Sequence, residues 1–275
     1  MVNMNRNAVC YLILIVLLAA CVSPATTNFS TGTPLATVSL SAIPTLTATS
    51  LPQATLIVTI IPPCEATQSA SLKIMPLGDS ITYGDGDPGH GGYRTLLGTL
   101  LTGDGYQVDF VGSQQSGEGV TSDTDNEGHP GWRIPNIKNG IDSEGWLETY
   151  QPDIILLHIG SNDLRYGNEV YAPDNLSALL DDILVRLPET HIIVAQIIPT
   201  RWGSDSNHRL YNDAIPGIVA SKGEHVSMVD MRNILSKSDF MTLYHPNIDG
   251  YDKMAYAWKT AILALKLEME CITPR

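Results

Sequence analysis

Five short runs in the chain are apolar or alternate at strand period: SLKIMPLG (71–78), YQVDFVGS (106–113), PDIILLHIG (152–160), HIIVAQIIPT (191–200) and HVSMVDM (225–231). Most carry no polar face, which is the signature of a strand covered on both sides. Between and after them the spacing turns helical in YRTLLGTLLTGDG (93–105), RIPNIKNGIDSEGWLETY (133–150), NLSALLDDILVRL (175–187), SNHRLYNDAIPGIVASKG (206–223) and IDGYDKMAYAWKTAILALKLE (248–268). The fourth of these helices is expected to be interrupted at Pro216. Alternating buried strands and helices predict an α/β domain with a mostly parallel five-stranded sheet between two helical layers, a three-layer α/β/α sandwich. There is no internal repeat.

Such sheets bind ligands beyond the carboxyl ends of their strands. Ser80 follows the first strand, in KIMPLGDSIT, and Asn162 and Asp163 follow the third. The glycine before them, Gly78, is expected to let the backbone turn sharply.

The N-terminus changes the domain count. Arg6 precedes an apolar run of about a dozen residues, too short for an ordinary membrane span. The run ends in Leu18-Ala19-Ala20-Cys21. That ending resembles a bacterial lipobox, in which the cysteine is acylated and the preceding peptide removed. A plain secretory signal with an incidental cysteine is the other reading. Residues 1–20 are thus expected to be a lipoprotein signal peptide. Residues 21–69 form a Thr/Ser/Pro-rich disordered tether; 22–63 contain no charged residue. Residues 70–275 form the folded domain. The protein is expected at the outer face of the cell envelope, held to the membrane through Cys21. Cys64 and Cys271 then flank the folded part. Domain termini often lie close together and this compartment is oxidising, so the two are expected to pair.

The net charge is −13, and loss of Arg6 with the signal makes it −14. This argues against a nucleic-acid partner, which would need a basic surface. The acidic loop SDTDNEG (122–128) lacks EF-hand order and reads as solvated, and the histidines lack metal-ligand spacing. No metal or cofactor is expected.

GDSIT is not the G-x-S-x-G elbow of α/β-hydrolases. It resembles the first block of the SGNH, or GDSL-type, hydrolases. VDFVGS…EGHPGWRI resembles the second block, with Gly131 in its glycine position. GSND, ending at Asn162-Asp163, resembles the third, and HPNIDGYDKMA resembles the last. Order and spacing match along nearly the whole folded part, most like the acetyl xylan esterases of carbohydrate esterase family three. The resemblance implies the flavodoxin-like SGNH fold and a monomeric serine esterase removing O-acetyl groups from a polysaccharide such as xylan. A lipase- or thioesterase-like member and a catalytically impaired carbohydrate-binding protein are the alternatives.

The chemistry agrees with the resemblance. Ser80 is the candidate nucleophile and His245 the candidate base. The Ser80 and Gly131 backbone N–H groups and the Asn162 amide are candidate oxyanion donors. His129 is placed to orient the Gly131 loop. Trp132, Tyr83 and Trp202 are candidates for a substrate platform. Asp79 and Asp163 are expected to hold turns. One position departs from the family, whose acid sits three residues before the histidine: here it is Thr242. Either Asp239 bends back as the acid, or His245 works in a Ser–His dyad, or the enzyme is feeble. The dyad is the expectation.

Overall fold

The computed structural model describes residues 71–199 and 205–265. Trp202, Cys21, Cys64 and Cys271 lie outside the described residues, as do the expected signal and tether.

The chain runs β1 (Leu72–Gly78), α1 (Ser80–Tyr83), α2 (Gly92–Gly103), β2 (Val108–Phe110), β3 (Gln114–Gln115) and β4 (Asp125–Gly128). It continues through α3 (Ile134–Glu144), α4 (Trp146–Tyr150), β5 (Ile154–His158), α5 (Ser161–Arg165), α6 (Ala172–Arg186) and β6 (His191–Gln196), and ends α7 (Asp205–Ala220), β7 (Val226–Asp230) and α8 (Ile248–Ala264). The order β4-β1-β5-β6-β7 is parallel throughout. All five expected strands are present, within a sheet of seven. One edge of β1 is shared: β2 pairs with Leu72–Ile74, while β4 pairs with Leu77 and Gly78. β3 joins β4 antiparallel.

The alternation of side chains along each strand builds the layers. Met75, Leu77, Ile155, Leu157, Ile192 and Val194 face α3, α4, α6 and α7. Ile74, Leu156, Ile193 and Ala195 face the other way, onto α2 and α8, where Trp258 is fully buried. Both faces of the central strands are therefore dry, which is why their sequence shows no polar stripe.

The stretch 133–150, expected to be helical in its middle, holds α3 and then α4, divided at Gly145, which sits at φ 65°. One helical expectation needs correction. The helix containing Pro216 is not interrupted. Proline cannot donate to the carbonyl four residues back, and that carbonyl, on Asn212, instead accepts from Gln196 Nε2 at 2.6 Å. The SDTDNEG loop is not solvated at its end either. Its last residues form β4, and Glu127 is wholly buried, accepting from Ser113 N and Oγ at 2.7 Å each and bonding His129 Nε2 at 2.6 Å.

The loops over this end of the sheet are fastened by one cation. Arg94 is wholly buried in α2 with no carboxylate bonded to it among the described residues. Its guanidinium donates to the carbonyls of Tyr83, His90, Ser116 and Thr124 and to Ser116 Oγ.

Candidate active site

Gly78 does not turn. It stays in β1, opposite His158 of β5. A Cβ on it would lie 2.2 Å from the His158 carbonyl oxygen and 2.5 Å from Thr82 Oγ1, so glycine is required by close approach. Asp79 then ends the strand. Its Oδ1 accepts from Ile81 N at 2.9 Å and caps the single turn α1, on whose first residue Ser80 sits. This answers why a buried strand runs into Gly-Asp-Ser: one residue lets β5 pass, one starts the turn, one is presented.

The other strand ends converge here. Gly160, at φ 121°, turns the chain out of β5 beneath the Tyr211 ring, which a Cβ would meet at 2.6 Å. The turn starts α5 and delivers Asn162. Gly131, at φ 81°, carries the loop before α3 and has open space where a Cβ would point. His245 comes from a tight loop before α8, closed by Met241 N donating to His245 O and by a bridge between Phe240 and Pro246.

Ser80, Gly131, Asn162 and His245 line one cleft of about 140 Å³, together with Asp85, Arg165 and Tyr244. Ser80 Oγ is 2.9 Å from His245 Nε2. On the far side of the ring, Nδ1 is 3.2 Å from Thr242 Oγ1. Asp239 does not reach the imidazole. Its Oδ2 accepts from Lys253 Nζ at 2.6 Å and from Ser236 N and Oγ at 2.6 and 2.8 Å. Those partners, Lys253 foremost, hold its pKa down to about 2. Burial lowers the His245 pKa; Asp85 opposes that and Arg165 adds to it. A half-buried imidazole is thereby kept neutral, as a base must be.

The Asn162 amide donates to Trp132 O at 2.9 Å and, more weakly, to Asp79 Oδ2 at 3.4 Å, which fixes it at the cleft wall. Burial pushes Asp79 up to about 7 and Asp163 up to about 6. Asp163 holds the start of α3, accepting from Ile134 N at 3.1 Å. Asp79 holds its own turn as expected, whereas Asp163 ties α5 to α3, and both are raised toward neutrality.

Two of the platform candidates stand outside the cleft lining. Trp132 stacks one face on His129 at 4.0 Å, and His129 stacks in turn on Trp146 at 4.9 Å. Tyr83 is turned toward His90, with ring centroids 5.8 Å apart. Sequence reading missed Asp85, Arg165 and Tyr244. Arg165 lies three residues beyond Asn162, one helical turn on, and Tyr244 precedes His245; those spacings were the available signals.

A parallel sheet whose strand ends assemble this cleft makes the domain that of a carboxylic ester hydrolase. The pattern of the GDSL-like Lipase/Acylhydrolase family matches residues 77–253, and the chain belongs to that family. It is similar to a family 3 carbohydrate esterase from Clostridium thermocellum, with 39% identity and a TM-score of 0.65 over 72% of this chain and 98% of the other. A carbohydrate esterase family 3 structure from Talaromyces cellulolyticus gives 29% identity and a TM-score of 0.58 over 70% and 97%. A multidomain esterase of Ruminococcus flavefaciens is 34% identical over 221 residues, 70% of this chain and 28% of its own length. The chain thus spans little more than a quarter of that relative.

Proposed function

We propose that this protein removes O-acetyl groups from a polysaccharide such as xylan through an acyl-enzyme on Ser80. The observation that carries the reading is the 2.9 Å contact between Ser80 Oγ and His245 Nε2 inside a cleft also lined by Gly131 and Asn162. The similarity to carbohydrate esterases supports the substrate class.

In the first half-reaction, from the tautomer that carries its proton on Nδ1, Ser80 Oγ attacks the acyl carbon and its proton passes to Nε2. Negative charge collects on the former carbonyl oxygen, where the Ser80 and Gly131 N–H groups donate to it, joined by the Asn162 amide as it exchanges its long 3.4 Å bond to Asp79 for the oxyanion. Collapse expels the alcohol, which takes the proton from His245. In the second half-reaction water attacks the acyl group, again giving its proton to Nε2. The acid leaves, Ser80 recovers the proton, and no cofactor enters the balance. Among the described residues no carboxylate bonds the ring, and Nδ1 meets the Thr242 hydroxyl at 3.2 Å, which supports a Ser–His dyad.

Initial rates on acetylated xylan, p-nitrophenyl acetate and a long-chain ester test this. The first two should turn over and Ser80→Ala should lose on the order of 10⁶ in kcat. Retention of more than a small fraction of activity in Ser80→Ala would remove Ser80 from the chemistry. Preference for the long-chain ester would replace the substrate class.

The same reading holds the protein outside the cell, tethered to the membrane by lipid on Cys21, where a polymer that cannot enter is accessible. Labelled fatty acid should be incorporated by the full-length chain and not by Cys21→Ser. Equal labelling of the two would overturn the anchor.

A further inference from the structure

The cleft holds one cation that the reaction above does not use. Arg165 closes α5 and is exposed at the cleft mouth. Its guanidinium carbon lies 4.4 Å from the centre of the Tyr244 ring and 5.2 Å from that of Tyr166. Among the described residues no carboxylate is within ion-pairing distance of it, whereas Arg186 and Arg232 each bind at least two acids. Two rings therefore hold the guanidinium in place through its faces. Its N–H edge, which a carboxylate would occupy, is left for something else.

Position says what that is. Tyr244 is the neighbour of His245, so Arg165 stands on the histidine side of the cleft. That is the side on which the base returns its proton to the departing alcohol. The charge is close enough to bear on the imidazole. The other charged group at the mouth, Asp85, belongs to the loop after α1 and lies 3.4 Å from His90 Nδ1. Both charges bear on the imidazole, Asp85 the more strongly, and Arg165 is the permanent cation among the described residues that line the mouth.

We infer that Arg165 is a subsite for a carboxylate on the alcohol part of the ester, such as a uronic acid unit of an acidic polysaccharide. The inference rests on the esterase reading and deepens it. A planar guanidinium held by aromatic faces offers paired N–H donors to a carboxylate. In a chain of net charge −13, an anionic substrate meets repulsion elsewhere, so a cation at the mouth decides where it can dock.

The test compares two acetyl esters that differ in charge alone at the far end of the leaving group, 4-acetoxybenzoate and 4-acetoxybenzamide. The ratio of their kcat/KM values in the wild type should fall about tenfold in Arg165→Gln, the scale of a hydrogen bond to a charged group. Arg165→Lys, which keeps the charge without the fork, should lie between. The same pair bound to Ser80→Ala, measured by calorimetry, should show the same preference without any turnover. Equal affinities there, or an unchanged ratio in Arg165→Gln, overturn the subsite. Failure of the esterase reading would show separately, as p-nitrophenyl acetate hydrolysis that survives Ser80→Ala.

Discussion

Thr242→Asp should raise kcat, and the hydrogen bonds around the hydroxyl say by how much. Thr242 Oγ1 accepts from Tyr244 N at 3.1 Å and from His245 N at 3.0 Å. A hydroxyl oxygen has two lone pairs and one proton to give. Both lone pairs are used, so the proton is what remains for His245 Nδ1 at 3.2 Å. An imidazole that accepts at Nδ1 carries its own proton on Nε2, and Nε2 then donates to Ser80 Oγ instead of taking its proton. The resting loop favours the tautomer that cannot act as a base. In a Ser-His-Asp triad the wrong tautomer costs about 10⁴ in kcat. A carboxylate at 242 can keep both backbone bonds and still only accept, which forces the proton onto Nδ1. It also stabilises the imidazolium. The gain should fall on the order of 10² to 10⁴, below the upper figure wherever the new side chain fits imperfectly. Single-turnover acylation by p-nitrophenyl acetate measures the rate. Nitrogen NMR of the His245 ring reads the tautomer, with the Nδ1 proton present in the variant and absent in the wild type. The variant's acid limb should also move to higher pH. An Nδ1 proton already present in the wild type, with no gain in rate, would refute the reasoning.

Asn162→Ala should lose on the order of 10² to 10³ in kcat, since the backbone donors remain; an unchanged rate would place the amide outside the oxyanion hole. Asp239→Asn should lower the melting temperature while kcat/KM changes little, because its carboxylate binds Lys253 and Ser236 and not His245; a large rate loss at unchanged stability would make Asp239 the acid. Asp79 is raised to about 7 from an ordinary 3.8, so the folded state holds its proton more tightly than the unfolded chain. Its contribution to stability is complete below about 4 and is lost as pH rises through about 7. Denaturant melts of Asp79→Asn should flatten that decline, which is a few kcal/mol at most, and an identical pH dependence in both proteins would contradict it.

The strands could be read because both their faces are dry. β3 and β4 could not: Gln114, Gln115, Asp125 and Asn126 are polar, and they come together beside Gly112, where a Cβ would lie 2.2 Å from the Asn126 carbonyl. The continuity of α7 through Pro216 was equally hidden, since the compensating donor, Gln196, comes from another strand. Ser80, Asn162 and His245 announced themselves through local blocks whose chemistry depends on neighbours in sequence. Arg165 and Asp85 did not, because their position in the cleft is set by strands more than fifty residues apart. The fate of Asp239 turned on Lys253, fourteen residues later in the chain and on the next helix, and the burden on Thr242 turned on counting lone pairs, which needs coordinates.

The Arg94 clamp has a consequence for the medium in which such an enzyme works. Each ester cleaved releases an acid, so a concentrated substrate surface acidifies as the reaction proceeds. The surface bridges of α3, α4 and α6, in which Lys138 and Arg186 hold Asp142 and Glu148 below their usual range, contribute stability that is lost as pH falls through those lowered values. The clamp joins a guanidinium to carbonyl and hydroxyl oxygens, none of which gains or loses a proton there. Asp79 and Asp163, near the nucleophile, are raised to about 7 and about 6 and take up protons close to neutrality. As pH falls, the acids beside the nucleophile and the His245 base therefore take up protons before the surface bridges do, while the Arg94 clamp keeps the loops over them fastened, so the product acid silences the cleft before it loosens the frame.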